Sequence, residues 1–200
     1  MVRQATLQDL KQIASIHRKC FPNSFSTKLG YLEKFYSVYM NEAPELFLVG
    51  GDNNTIEGFC MGYYLEKNGF MKKFLKQNMM PLSFKMLKLL LVGDLVAWRK
   101  IKSIFKRGES FQVINEIYSD IPPTEIGDLL SICVIPEARG NGLANELMLK
   151  YLNILECKNR KVCYLTVDVE NERAINFYLK HSFEPYKEIP NQCRTYARYI

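Results

Sequence analysis

Residues 129–155 constrain the fold more than any other stretch of the chain. The uncharged apolar run Leu129-Leu130-Ser131-Ile132-Cys133-Val134 reads as a buried strand. Pro136 stops it, and glycines follow at positions 140 and 142. Beyond them Leu143, Leu147, Tyr151 and Leu155 recur at helical spacing, with Ala144, Met148 and Leu152 beside them. Strand, glycine turn and helix in that order make an α/β chain the expected class.

The flanking sequence supplies further elements. Arg3-Gln4-Ala5 reads as a short strand, and Thr6-Leu7-Gln8-Asp9 has the form of a helix N-cap. Leu7, Leu10, Ile13, Ala14 and Ile16 follow at helical spacing up to Pro22. A second helix is expected over residues 27–40, with Tyr31, Phe35, Val38 and Tyr39 on its apolar side. Residues 46–49 and 56–64 flank Gly50-Gly51-Asp52-Asn53-Asn54, a hairpin turn. Residues 162–169 read as a strand and 172–181 as a helix, with one or two strands in the tail around Tyr186 and residues 195–200. No internal repeat interrupts this order. At 200 residues, 48% hydrophobic and 24% charged, the chain is expected to form one globular domain over residues 1–200. A chain of this size buries roughly 70% of its unfolded surface and needs no disulfide or metal to hold a core.

The six cysteines form no Cys-x-x-Cys pair, and His17 and His181 are the only histidines. Reduced thiols and no metal are therefore expected. No stretch has the length of a membrane span, and the N-terminus lacks the apolar segment of a signal peptide. A soluble, cytoplasmic protein is expected. The net charge of +6 is uneven: residues 68–108 hold ten Lys or Arg and one acid, Asp94, giving +9 and leaving −3 on the remainder. This basic stretch reads as a helical insertion, with helices over residues 70–78, 81–92 and 94–105.

The segment Arg139-Gly140-Asn141-Gly142-Leu143-Ala144 carries the chemistry. A glycine turn that opens a helix offers consecutive amides and partial positive charge, a combination that binds phosphate. A plain turn is the competing reading. Neither the P-loop pattern nor the dinucleotide fingerprint fits, since no Lys-Ser/Thr follows and Asn145 stands where the third small residue belongs.

Arg139-x-x-Gly142-x-Ala144 resembles the Arg/Gln-x-x-Gly-x-Gly/Ala signature of the GNAT superfamily of acetyl-CoA-dependent N-acetyltransferases. Asn171-Glu172-Arg173-Ala174-Ile175-Asn176-Phe177-Tyr178, continuing to Phe183, resembles the family's second motif. The two lie in the expected order, and the resemblance covers residues 128–184. It implies a mixed, splayed central sheet flanked by helices, with the pyrophosphate of acetyl-CoA on the amides of Arg139, Gly140, Asn141, Gly142, Leu143 and Ala144. It further implies that backbone groups of Ile132, Cys133 and Val134 pair with the pantetheine arm and that Asn171 meets the cofactor.

By the same resemblance Tyr178 is the acid that protonates the departing thiolate; packing in a core is its alternative. The base has several candidates. One position that relatives use corresponds to Asp128, with Glu125 and Asp168 in reserve; another corresponds to Thr166, which cannot accept a proton. Water alone is a further option. Ser182 replaces a family glycine at a helix end, at a cost of about 1 kcal/mol if the backbone is left-handed. Cys133, inside an apolar strand with no histidine base, reads as inert rather than as an acyl carrier.

The expected activity is direct transfer of acetyl from acetyl-CoA to a primary amine, a small amine or amino sugar. A protein N-terminus or lysine as acceptor, and a non-catalytic acyl-CoA-binding module, are the alternatives. The basic insertion is either a flap on the sheet or a lid that gathers an anionic acceptor. No nucleic-acid motif is present.

Overall fold

The computed structural model describes residues 1–22, 24, 27, 30–52, 55–67, 121–189 and 193–200, with isolated positions between 69 and 93. The helices expected over 81–92 and 94–105 lie wholly or largely outside these residues, as does most of 70–78.

Among the described residues, seven strands form one sheet in the order β1-β2-β3-β4-β5-β7-β6. The strands are β1 (Val2–Gln4), β2 (Phe47–Gly51), β3 (Ile56–Tyr64), β4 (Ile126–Val134), β5 (Val162–Asp168), β6 (Glu184–Ile189) and β7 (Cys193–Tyr199). All neighbours are antiparallel except β4 and β5, which run parallel. That parallel pairing is short: Ile126 faces Val162, Gly127 faces Cys163, Asp128 faces Tyr164, and there it ends. Both strands continue, β4 to Val134 and β5 to Asp168, so the sheet parts at its centre.

Helices cover both faces. On one, α1 (Leu10–Cys20) and α2 (Leu32–Glu42) bury Ile13, Ile16, Leu32 and Tyr36 against Phe47, Phe59 and Met61. On the other, α3 (Leu143–Cys157) buries Leu147, Tyr151 and Leu155 against Cys60, Leu129 and Leu165, and α4 (Glu172–Lys180) packs beside it. Alternation along β3 and β4 divides the core, sending Phe59 and Met61 to the first face and Cys60 to the second.

Three expectations need correction. The turn at Leu7–Asp9 is 3-10 rather than α-helical, and Leu7, expected on the apolar face, is 61% exposed. Asp9 instead accepts from the Thr6 amide and pairs bidentately with Arg3 at 2.7 and 2.8 Å. In α2 the fully buried positions are Leu32, Tyr36, Tyr39 and Met40, not Tyr31, Phe35 and Val38. Aromatic residues surround that helix, so periodicity alone cannot choose its inner face. The ring of Phe74, from the start of the insertion, packs edge-on to Phe35 at 6.4 Å, and Lys34 donates to Asn78. At Phe74 and Asn78 the insertion lies on α2, as a flap would.

Candidate active site

The glycine turn takes its shape from backbone conformation. Gly140 and Gly142 have φ of +89° and +88°, a region that L side chains rarely adopt. A Cβ at either would meet nothing within 4 Å, so open space lies beside both glycines. Among the described residues, the amides of Gly140, Asn141, Gly142 and Ala144 donate to no backbone acceptor, as expected before the first turn of a helix. Leu143 is different: its amide donates to Asn141 Oδ1 at 3.0 Å. The turn thus offers unpaired amides and a helix N-terminus, which together fit a pyrophosphate.

Arg139 has another task. Its Nε donates to Val134 O at 3.1 Å and its amide to Pro136 O, so the residue ties the turn to the end of β4. The strand itself has two sides. Ile135 donates to Glu57 O on β3, and strand alternation then directs the backbone groups of Cys133 to β3 as well. Those of Ile132 and the amide of Val134 point into the parting between β4 and β5, where an extended ligand chain can pair with them, while Val134 O is taken by Arg139 and Cys20. Asn171 caps α4, its Oδ1 accepting from the Ala174 amide at 3.2 Å.

Asp128 stands at the last paired position before the strands part. Leu130 is the extra residue of a bulge opposite Met61 and Gly62, which turns the following stretch of β4. Gly62 is required there. Tyr151 of α3 reaches across it to donate to Asp128 O at 2.7 Å, and a Cβ on Gly62 would lie 2.0 Å from that hydroxyl. An unsatisfied carbonyl at this point would cost about 1–3 kcal/mol. The Asp128 side chain lies on the α1/α2 face, opposite Tyr63, which donates to it, and near Tyr39. Burial pushes its carboxyl up to about 7, with the Tyr63 hydrogen bond opposing. The other acids are committed: Glu125 pairs with Lys161 at 2.8 Å, and Asp168 Oδ1 accepts from the Glu170 amide in the turn before α4. Thr166 is exposed on β5.

Tyr178 comes from the opposite face. It packs with Phe177 and Phe183 beside the core that holds Cys60 and Cys163, and burial pushes its hydroxyl up. Among the described residues that hydroxyl has no hydrogen-bond partner. Its ring is held by the end of α4, where Ser182 donates to Leu179 O and Phe183 to Tyr178 O, with Ser182 at φ +60°. This is a Schellman closure, and Phe183 is the apolar residue that seals it against Tyr178. Ser182→Gly should therefore raise the unfolding free energy by about 0.5–1 kcal/mol in urea titrations.

The His17, Tyr36 and Ser24 cluster escaped the sequence. His17 Nδ1 shares a hydrogen bond with Tyr36 and Nε2 one of 2.9 Å with Ser24, and burial holds the imidazole down at about 4. It remains neutral and orders the start of the α1–α2 connection.

Residues 94–183 match the acetyltransferase (GNAT) family. An uncharacterized N-acetyltransferase of Methanocaldococcus jannaschii is 31% identical over 80 residues, which are 40% of this chain and 35% of that protein. The match thus spans about a third of that relative's length. Two solved structures share the fold over the whole chain. The PaiA N-acetyltransferase of Thermoplasma acidophilum in complex with coenzyme A has a TM-score of 0.60 at 14% identity, with 98% of that chain covered. A ribosomal-protein-alanine N-acetyltransferase of Brucella melitensis has a TM-score of 0.60 at 13% identity, with 99% covered. The expected splayed sheet is present, and both motifs fall inside the matched segment. Over residues 94–183 the chain is thus similar to the acetyltransferase (GNAT) family, and its fold is shared with N-acetyltransferases of known structure.

Proposed function

We propose that this protein transfers the acetyl group of acetyl-CoA directly to a primary amine bound in the same complex, and that the acceptor is a small amine or amino sugar. The observation that carries it is the pair flanking the parting of β4 and β5: Asp128 on one face and Tyr178 on the other.

An amine of pKa ~10 must lose a proton before it can attack, which at pH 7 costs roughly 4 kcal/mol. A carboxylate titrating near 7 is matched to accept that proton. At the other end of the reaction the C–S bond of the thioester breaks and a thiolate departs. Burial pushes the hydroxyl of Tyr178 up, as it does the neighbouring thiols of Cys60 and Cys163, so negative charge beside this apolar core is disfavoured and a departing thiolate gains from a proton donor. The same burial keeps Tyr178 protonated as the donor. Pyrophosphate on the amides of Gly140, Asn141, Gly142 and Ala144, with pantetheine along Ile132 and Val134, would hold the thioester between the two groups. Arg139, Leu143 and Asn171 shape this site through the bonds given above.

The test is release of free CoA thiol from acetyl-CoA across a panel of small amines, amino sugars and peptides with free N-termini or lysines. Release with the small amines is expected. Release with peptides alone would move the acceptor to a protein N-terminus or lysine, a reading that the ribosomal-protein-alanine enzyme of like fold supports. Tight acetyl-CoA binding without release would leave an acyl-CoA-binding module. Gly142→Asp should abolish acetyl-CoA binding in calorimetry, because it brings a carboxylate to the phosphate cradle. Gly142→Asn, which tolerates the left-handed backbone without the charge, should retain most of it. Among the described residues no helix is long and apolar enough to cross a membrane, and a cytoplasmic site of action is part of the proposal.

A further inference from the structure

Cys20 and Cys133 are 113 residues apart in sequence and meet between the end of α1 and β4. Cys20 donates its S–H to Val134 O at 3.6 Å, and the neighbouring Cys133 side chain packs against the same α1/α2-face cluster as Cys20. Both side chains keep some contact with solvent. Arg139, held by the same Val134 carbonyl, brings its guanidinium to Cys20. We propose that Cys20 and Cys133 form a peroxide-sensitive dithiol, in which Cys20 is the attacking thiolate and Cys133 the resolving thiol. None of the acetyl-transfer chemistry uses this pair.

The groups facing Cys20 divide in their effect. Cys133 and Arg139 favour its thiolate, while burial and Glu137 oppose, and the thiol is drawn down to about 7. Tyr36 of α2 faces both sulfurs and stays protonated. Cys133 is pushed up, so at neutral pH the pair holds one thiolate and one thiol. That asymmetry suits a stepwise oxidation. The Cys20 thiolate attacks one oxygen of hydrogen peroxide, the O–O bond breaks, and Cys20 sulfenic acid forms with hydroxide, which takes a proton to become water. Cys133 sulfur then attacks the sulfenic sulfur, its proton leaves with the hydroxyl as a second water, and the disulfide closes. Two thiols and one peroxide thus give one disulfide and two waters.

The bond would fix the last residue of α1 to β4, one residue from Val134, whose amide faces the parting of the sheet. Cys20 also opens the α1–α2 connection that carries Ser24.

The experiment uses the full chain carrying Cys157→Ser, which removes the one thiol that is exposed among the described residues. The protein is treated at pH 7.5 with a slight excess of hydrogen peroxide, remaining thiols are alkylated, and disulfide-linked peptides are mapped by mass spectrometry. One intramolecular link between the peptides of Cys20 and Cys133 is expected. With Cys133→Ser, Cys20 should stop at the sulfenic acid and be trapped by dimedone. Cys20→Ser should slow peroxide consumption at least tenfold and leave Cys133 reduced. Arg139→Gln, with its fold checked by circular dichroism, should shift the pH midpoint of Cys20 alkylation upward from about 7. A link between other cysteines, or Cys20 and Cys133 both still reduced once other thiols have reacted, overturns the proposal. None of these readings depends on acetyl transfer, so they stand or fall apart from the proposed activity.

Discussion

Replacing Tyr178 by Phe should lower kcat roughly ten- to a thousand-fold and leave acetyl-CoA affinity within about twofold. Phenylalanine keeps the ring contacts with Phe177 and Phe183 and removes only the hydroxyl, which has no partner among the described residues. The loss therefore belongs to the step in which the thiolate is protonated. Steady-state rates together with calorimetric binding separate the two quantities. A kcat within twofold of the parent would reduce Tyr178 to a packing residue of the α4 closure.

Asp128→Asn should produce two opposite effects. Activity at pH 7 should fall about 10²- to 10⁴-fold. Near pH 9 much of it should return, because the free fraction of an amine with pKa ~10 rises from about 0.1% to about 10%. Stability should move the other way. Burial raises the folded-state pKa of Asp128 above its ordinary value, to about 7, so its neutral form is the one the fold favours. The folding free energy is then undiminished below the unfolded pKa near 4 and falls as pH rises towards 7. Asparagine removes that loss. At pH 8 the variant should gain about 2 kcal/mol in urea unfolding, less than the full shift implies because the side chain keeps some solvent contact. The gain should vanish near pH 4. A uniform loss of activity at every pH, with no gain at pH 8, would make Asp128 structural.

Local chemistry made half of this legible from sequence. Apolar spacing and glycine placement specify the strand, turn and helix of residues 129–155, because each depends on neighbours a few positions away. The motif from Asn171 to Phe183 located α4 and its closure, including the left-handed backbone at Ser182. What stayed hidden depends on pairing across the sheet. The splay is expected only through the family resemblance; nothing in residues 126–134 themselves announces that β4 and β5 separate after three pairs, or that Leu130 is a bulge. The need for glycine at 62 arises from a tyrosine 89 positions later. Two residues expected to meet the cofactor, Arg139 and Asn171, use their side chains on the Val134 carbonyl and the Ala174 amide. The signature residues there preserve the shape of the site as much as its contacts.

The parting of β4 and β5 also bears on how the molecule avoids unwanted association. Two sheet edges open inside one protein leave backbone donors and acceptors unpaired, and such edges ordinarily recruit a foreign strand and seed aggregation. Here the edges diverge from a closed apex at Asp128 and Tyr164 and are roofed by α1 and α2 on one side and α3 and α4 on the other. Because the edges diverge, an incoming strand can keep the ladder spacing of about 4.8 Å to both of them at one depth only, so the opening offers no continuous template for a second copy.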